Sequence, residues 1–197
     1  ACVRNIALKL TSVYETSSQD LQWDVCVTLA DNHGYSAGII QFTTGTGSAQ
    51  AVISKYETSL QKGTTVQQKS PFKSFDSVLS SLKDASEASG SPQGDISGLQ
   101  GFCDAWKQAS GTPEFRDAQL QVLDDLYWTP SQITARKYSL SLPISIGQIF
   151  DSTIQLGAQG TLSLIKSIPT PSGDETKWIG DFLDARRSKL IDMGGAY

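Results

Sequence analysis

The protein has 197 residues, of which 39% are hydrophobic and 18% are charged, and its formal net charge is -4. These values are typical of one globular domain, and no apolar run is long enough to form a transmembrane helix. Lysine and arginine are scattered along the chain, so no basic stripe is available for binding a nucleic acid. We therefore expect no nucleic-acid or membrane partner. We also expect a monomer.

The cysteines and the single histidine do not form a metal-binding pattern. Cys2, Cys26 and Cys103 are widely spaced, and His33 is the only histidine, so we expect no metal and no cofactor. An odd number of cysteines favours one disulfide plus one buried thiol, with the pairing left open. The chain begins at Ala1 without a methionine, as it would after signal-peptide removal or after trimming. We expect a secreted, extracellular protein.

The first segment is predicted to be a helix. Ile6, Leu10, Val13 and Tyr14 recur at helical spacing, so the face that carries them is expected to be buried. Glu15 lies at the C-terminal end of this helix, where the helix dipole is negative. This field disfavours the ionised carboxylate and favours the protonated form that a general acid requires.

Two runs rich in β-branched and aromatic residues follow, at positions 23–29 and 35–42, with turn-forming residues at 30–34 between them. This pattern predicts a small antiparallel sheet. Asp31 is expected at a strand end or in the turn. A helix is predicted to follow over residues 48–60.

The rest of the chain is predicted to be almost entirely helical. Thr112 followed by a proline is typical of a helix start, and Ser172 followed by Glu175 is a capping-box pattern. A flexible Ser- and Gly-rich loop is expected at 88–98. Helices are expected at 76–87, at 98–109, and from 113 onward with Phe115, Ala118, Val122 and Leu126 on one side. Apolar segments follow near 132–140 and 144–157 in this mostly helical part, and the final helix is expected to begin near 172–175 and to run through Trp178, Phe182 and Leu183 to about Met193.

These elements predict an α+β fold that is mostly α. We expect a single domain over residues 1–197, in which a small β lobe at about residues 20–45 is inserted after the first helix and the remainder forms a helical body. A substrate cleft between the helical body and the β lobe is the expected result.

Glu15 and Asp31 form the candidate pair for chemistry. Glycoside hydrolysis by the common route needs two carboxyl groups on opposite sides of the scissile bond, one protonated and one ionised. A separation of roughly 6.5–9.5 Å or more would leave room for the attacking water of an inverting reaction. From the pattern alone, Asp20 and Asp24 are nearly as good candidates for the second carboxylate as Asp31.

Other chemistries have weaker support. The segment 45–47 (Gly-Thr-Gly) lacks the length and the lysine of a phosphate-binding loop. His33, between an asparagine and a glycine, is typical of a solvated turn residue. The four tryptophans are more typical of a core than of a surface that stacks on sugars.

Three segments resemble the active-site stretch of glycoside hydrolase family 46 chitosanases. In that family an acidic residue after the first helix is followed by a D-x-R-G-Y-T-x-G-I-I-x-F-x-S-G-T-G-D run. The segments in this chain are 15–18, 29–40 and 42–47. Further matches are collinear over almost the whole chain, at Ala118-Gln119, Asp124, Tyr127, Pro130, Gly147-Gln148, 173–176 and 182–186.

The resemblance implies a lysozyme-like, two-lobed fold and an endo-acting, inverting hydrolase of β-1,4-linked chitosan-type polysaccharide. Glu15 matches the general acid and Asp31 the general base. Ser36 matches a threonine whose hydroxyl helps to hold the attacking water. Asp124 and Arg186 match members of a buried charge network that supports the acid. The positions that we expect to bind substrate are Tyr14, His33, Tyr35, Gly45, Thr46 and Ser48.

Three positions depart from the family pattern. His33 replaces an arginine near the base, and Thr161 stands near the place of a second network arginine. Ser48 replaces an aspartate that binds a substrate amine, a charge-assisted contact of about 1.5–3 kcal/mol. Two alternatives therefore remain open: a hydrolase of a different, neutral β-glycan, and a non-catalytic glycan-binding relative.

Overall fold

The computed structural model describes residues 2–16, 18–63, 69–171 and 173–194, except for the side chains of residues 2, 14–16 and 62–63. The predicted fold class, mostly helical with one small antiparallel sheet, is confirmed. Among the residues described, no helix is long and apolar enough to cross a membrane. The elements are α1 (Cys2–Thr16), β1 (Cys26–Thr28), β2 (Tyr35–Ala37), β3 (Phe42–Thr43), α2 (Ser48–Gly63), a 3-10 helix (Lys73–Phe75), α3 (Asp76–Ser89), α4 (Phe102–Ser110), α5 (Pro113–Leu123), a π-helical turn (Asp124–Trp128), α6 (Thr129–Lys137), α7 (Pro143–Lys166) and α8 (Glu175–Asp192).

The chain divides into two compact units. The first unit comprises residues 1–19 and 124–197 and contains α1, the π-helical turn and α6 to α8. The second unit comprises residues 20–123 and contains the sheet and α2 to α5.

The sheet of the second unit has the strand order β1-β2-β3, and both pairings are antiparallel. Its strands are shorter than the apolar runs predict. β2 ends at Ala37 because the backbone turns at Gly38, with φ of 75°, and again at Gln41, with φ of 57°. A strand could not continue through these left-handed conformations.

A disulfide joins Cys26 of β1 to Cys103 of α4 and so ties the sheet to a helix of the second unit. The prediction of a disulfide is confirmed. The side chain of the third cysteine, Cys2, lies outside the described part of the chain.

A cluster of aromatic rings forms much of the core of the second unit. Trp106 is fully buried and lies edge-on to Phe115, with ring centroids 4.8 Å apart. Phe42 and Phe102 also pack against Trp106. For Trp106, the expectation of a core role is therefore correct.

Gln119 of α5 is a buried polar group with both ends of its amide bonded. Its Nε2 donates to the Trp23 carbonyl at 3.1 Å, and its Oε1 accepts from the Ile39 amide at 3.2 Å. The segment before β1 and the turn after β2 are thereby held by one side chain. Gly38 is required here, because a Cβ at that position would lie 2.3 Å from Gln119 Oε1.

In the first unit, α1 buries a different face from the one predicted. Ile6, Leu10 and Val13 are 56%, 48% and 36% exposed, whereas Ala7 and Leu8 are buried. The prediction for this face is wrong because α1 packs on α7 through the face that carries Ala7. A Cβ added at Gly147 of α7, for example, would lie 3.6 Å from the Ala7 Cβ.

The helix that starts at Pro113 is confirmed, and Thr112 caps it by accepting from the Phe115 amide at 3.3 Å. The prediction that Leu126 shares the buried side of this helix is wrong, since Leu126 is 42% exposed. The π-helical turn (Asp124–Trp128) has more residues per turn than an α-helix, so it shifts the buried face away from Leu126.

The start of α8 differs from a capping box. Asp174 is the N-cap and accepts from the Lys177 amide at 2.9 Å, while Ser172 lies outside the described residues. The Glu175 carboxylate instead accepts from the amides of Ser141 and Leu142, at 2.9 and 2.8 Å. It therefore fixes the start of α7 rather than its own helix.

Candidate active site

Asp31 lies in the turn between β1 and β2, and the turn itself holds its carboxylate. Asp31 Oδ1 accepts from the His33 amide at 3.1 Å. The His33 ring lies back over the same residue, with Nδ1 at 2.8 Å from the Asp31 carbonyl oxygen and 3.5 Å from Oδ1. With 42% of its side chain exposed, Asp31 is oriented by its neighbours and open to solvent.

The turn needs residues that tolerate positive φ. Asn32 has φ of 61° and Gly34 has φ of 74°, and asparagine and glycine are the residues that visit this conformation most readily. A Cβ at Gly34 would also lie 2.4 Å from Thr44 Oγ1. The local sequence therefore determines where the Asp31 carboxylate points.

β2 places Tyr35 and Ser36 next to this turn. The Tyr35 amide donates to Thr44 Oγ1 at 3.0 Å, and its ring stacks on Phe102 with centroids 5.7 Å apart. Ser36 is 1% exposed and lies opposite Val27 and Thr43 in the sheet. The Ser36 hydroxyl therefore occupies a buried position, two residues beyond Gly34.

The turn between β3 and α2 contains Gly45 and Thr46, and Ser48 is the first residue of α2. Ser48 Oγ accepts from the Thr43 amide at 2.8 Å and lies 3.1 Å from Thr46 Oγ1. Thr46 Oγ1 in turn lies 2.6 Å from Thr43 Oγ1. Ser48 is 9% exposed, so its hydroxyl serves the local backbone.

The predicted site residues of the first unit fall into separate groups. Side chains of Tyr14 and Glu15 lie outside the described part of the chain, although both residues belong to α1. Asp124 pairs with Arg4 of α1, whereas Arg186 pairs with Asp151 of α7. No contact between Asp124 and Arg186 occurs among those described, so their membership of one network stays a prediction.

Sequence reasoning missed Asp151, which lies at the centre of the contacts around Arg186. One Asp151 oxygen pairs with the Arg186 guanidinium and the other accepts from the Thr11 hydroxyl at 2.7 Å. Gln148 and Gln155 accept from the same guanidinium. The sequence pattern could have indicated this group, because positions 148, 151 and 155 have helical spacing and place three polar residues on one face of α7.

Within the ranges 2–16, 18–63, 69–171 and 173–194, no set of three or more His, Cys, Asp or Glu side chains is arranged to hold an ion.

The sequence pattern of Glycosyl hydrolase family 46 matches residues 9–194, which is almost the whole chain. The chain belongs to this family. Two relatives in family 46 are the chitosanases of Bacillus subtilis strain 168 and of a Streptomyces species, which are 29% and 27% identical to it. The alignments cover 94% and 95% of this chain but 66% of each relative, so the chain spans slightly less than two thirds of their length.

Solved structures of family 46 proteins share the fold. A mutant chitosanase from Bacillus subtilis MY002 complexed with 6 GlcN has a TM-score of 0.82 and 28% identity, covering 96% of this chain and 78% of its own. The GH46 chitosanase of Gynuella sunshinyii in complex with chitotetraose also gives 0.82 and 28%, covering 95% and 77%. The predicted lysozyme-like fold class is therefore confirmed.

The structure shows which contacts the side chains make at the three positions that depart from the family pattern. At His33, where the resemblance places an arginine, the ring binds the Asp31 carbonyl. At Ser48, where it places an amine-binding aspartate, the hydroxyl binds Thr43. Thr161 is 1% exposed, and its hydroxyl donates to the Gly157 carbonyl at 2.9 Å, at the point where α7 is kinked.

Proposed function

We propose that the protein is an endo-acting glycoside hydrolase that cleaves β-1,4-linked chitosan-type polysaccharide with inversion. The family 46 match over residues 9–194 carries the proposal. It is supported by Asp31, which lies in the matched segment with its carboxylate oriented by the His33 amide. Glu15 is the proposed general acid and Asp31 the proposed general base.

The proposed reaction uses one water and two carboxyl groups. Asp31 takes a proton from the water as its oxygen attacks the anomeric carbon, and Ser36 helps to hold that water. The bond from the anomeric carbon to the glycosidic oxygen breaks, and Glu15 donates a proton to the departing oxygen. Attack from the face opposite the leaving group converts a β-linkage into an α-hemiacetal at the new reducing end.

Asp151 and Arg186 are proposed to support the acid through α1. Thr11 and Glu15 are four residues apart in this helix, so they lie on the same helical face. The Thr11 hydroxyl donates to Asp151, which pairs with Arg186. Through these contacts α1 would be held in register close to the residue that donates the proton.

Substrate choice is proposed from the relatives and from charge. The solved structures named above contain 6 GlcN and chitotetraose, and the net charge of -4 favours approach of a cationic polymer. We propose Tyr14, His33, Tyr35, Gly45, Thr46 and Ser48 as the substrate-binding positions.

A second candidate, hydrolysis of a β-glycan with fewer amines, is favoured by Ser48. The Ser48 hydroxyl already accepts a hydrogen bond from the Thr43 amide and lies near Thr46. A neutral hydroxyl binds a protonated substrate amine more weakly than a carboxylate does. This difference affects which polymer is bound and leaves the Glu15 and Asp31 chemistry unchanged.

We propose an extracellular location, a monomeric state and a single catalytic domain. The Cys26–Cys103 disulfide supports the location, because disulfides persist in oxidising compartments.

The test measures reducing-end release from a panel of soluble polymers that includes chitosan and neutral β-glucans. We expect chitosan to be cleaved and Glu15→Gln to abolish turnover while polymer binding is retained. Glu114→Gln, an exposed site on α5, is the matched control and should keep full activity. Binding without turnover by the unaltered protein would contradict the proposal and favour a glycan-binding role, and cleavage of neutral glucans alone would favour the second candidate.

A further inference from the structure

The segment 91–94, here called the clasp segment, is hydrogen-bonded to the turn that carries Asp31. Asn32 Nδ2 donates to the Pro92 carbonyl at 3.1 Å. The Gln93 amide donates to the Gly45 carbonyl at 2.9 Å, and the Gly45 amide donates to the His33 carbonyl at 2.9 Å. The loop predicted here is therefore bonded to two turns of the candidate active site.

Two glycines allow the clasp segment to approach at backbone distance. A Cβ at Gly94 would lie 2.2 Å from Asn32 Oδ1 and 3.0 Å from the Asn32 Cα. A Cβ at Gly45 would lie 2.2 Å from the Gln93 carbonyl oxygen. Space rather than backbone conformation is the requirement at these two positions, because neither glycine has a positive φ.

The clasp segment is itself anchored at the end of α3. Ser89 Oγ accepts from the Ser91 amide at 3.2 Å and from Gln93 Nε2 at 3.0 Å. The contacts therefore run without interruption from α3 through Gln93 and Gly45 to His33, the residue whose amide donates to the Asp31 carboxylate.

We propose that the clasp segment positions Asp31 for proton transfer and that Asn32 is a positioning residue of the reaction. The inference rests on the proposed function, in which Asp31 is the general base. Asn32 holds the turn from one side through Pro92, and Gly45 holds it from the other through the His33 carbonyl. Displacing the clasp segment would allow the turn to rotate, which changes the direction of the Asp31 carboxylate toward the attacking water.

Asn32→Gly and Gly94→Ala test the proposal from both sides of the contact. Glycine at position 32 keeps the positive φ and removes the hydrogen bond to Pro92, while alanine at position 94 forces the clasp segment away from Asn32. Ser139→Gly is the matched control for the first variant, because Ser139 has φ of 55° and is exposed at the end of α6. Gly111→Ala is the control for the second, since its added Cβ would meet only an ordinary contact at 3.5 Å.

We expect each clasp variant to lower kcat on chitosan about tenfold with KM changed less than about twofold, since small misplacements of a catalytic group affect turnover strongly. The kcat of the double variant should fall no further than that of the more strongly affected single variant, because both changes break the same contact. Amide hydrogen exchange at His33 and Gln93 should accelerate in both variants, while the midpoint of urea unfolding matches that of the controls.

Unchanged kcat and unchanged exchange at His33 in both clasp variants would overturn the proposal, and so would independent, multiplicative losses. Failure of the proposed function is detected separately, by Asp31→Asn retaining full turnover. In that case the exchange measurement still decides whether the clasp segment holds the turn: accelerated exchange at His33 supports the positioning, and unchanged exchange refutes it.

Discussion

Asp151→Asn removes the anion at the centre of the contacts that join α1, α7 and α8. The wild-type carboxylate pairs with Arg186 and accepts from the Thr11 hydroxyl. The side chains of Asp151 and Arg186 are 19% and 13% exposed, so both charges are largely shielded from water. Asparagine has nearly the same shape and can keep the hydrogen bond with Thr11, so the change isolates the charge.

The expected cost follows from this partial burial. Removing one partner of a buried ion pair costs about 3–5 kcal/mol because the other charge is left uncompensated. Here Gln148 and Gln155 still accept from the guanidinium, which reduces the loss to about 2–3 kcal/mol in the free energy of unfolding. Asp181→Asn, at an exposed pair with Lys177, should cost about 0.5 kcal/mol or less.

Urea unfolding at pH 7 measures both variants, with the dependence on denaturant checked for equality. We also expect Asp151→Asn to lower kcat on chitosan, whereas Asp181→Asn leaves it unchanged. Losses of stability within about 0.5 kcal/mol of each other in the two variants would show that Asp151 is not the structural centre described above.

Three further changes are predicted. Cys103→Ser opens the link to Cys26, which spans a sequence separation of 77, and should cost about 4 kcal/mol in urea unfolding; a loss below about 1 kcal/mol would contradict this. Gln119→Leu leaves the Ile39 amide unpaired inside the second unit and should cost about 2–3 kcal/mol by the same measurement, and a neutral effect would exclude its role in holding the turn. Glu175→Gln should lower stability by about 1 kcal/mol at pH 7, and the difference from wild type should vanish in acid; a constant difference would refute the account.

The pH dependence at Glu175 follows from its contacts. Burial acts to raise the pKa of this carboxyl, but hydrogen bonds from the Ser141 and Leu142 amides lower it more, so its pKa lies below the ordinary value. A carboxyl whose pKa is lowered in the folded state adds stability at pH values above its unfolded-state pKa of about 4.3. This added stability is lost as the pH falls through the folded-state pKa. Thermal unfolding of wild type and Glu175→Gln between pH 7 and pH 2.5 measures the window, with Glu87→Gln as the exposed control.

Periodicity predicted where the helices lie better than which faces they bury. Thr112 and Pro113 mark a helix start through local chemistry that needs no tertiary information. The buried face of α1 was not predictable in this way, because apolarity favours Ile6 and Leu10 whereas the packing with α7 buries the face that carries Ala7.

The turn position of the candidate residue Asp31 was predictable because local sequence fixes the turn. Asn32 and Gly34 determine the conformation that orients Asp31. Long-range contacts were not predictable: the pairing of Arg186 with Asp151 depends on how two helices pack, and Asn32 meets Pro92 from 60 residues away.

Turnover of Asp31→Asn on soluble chitosan, measured by reducing-end release beside Asp24→Asn, tests the central claim most directly. Asp24 is an exposed aspartate shortly before β1, so it controls for loss of charge. The account predicts that Asp31→Asn loses on the order of 10²-fold or more in kcat with an unchanged unfolding midpoint, while Asp24→Asn retains wild-type activity. Wild-type turnover in Asp31→Asn, or an equal loss in both variants, would contradict the assignment of Asp31 as the general base.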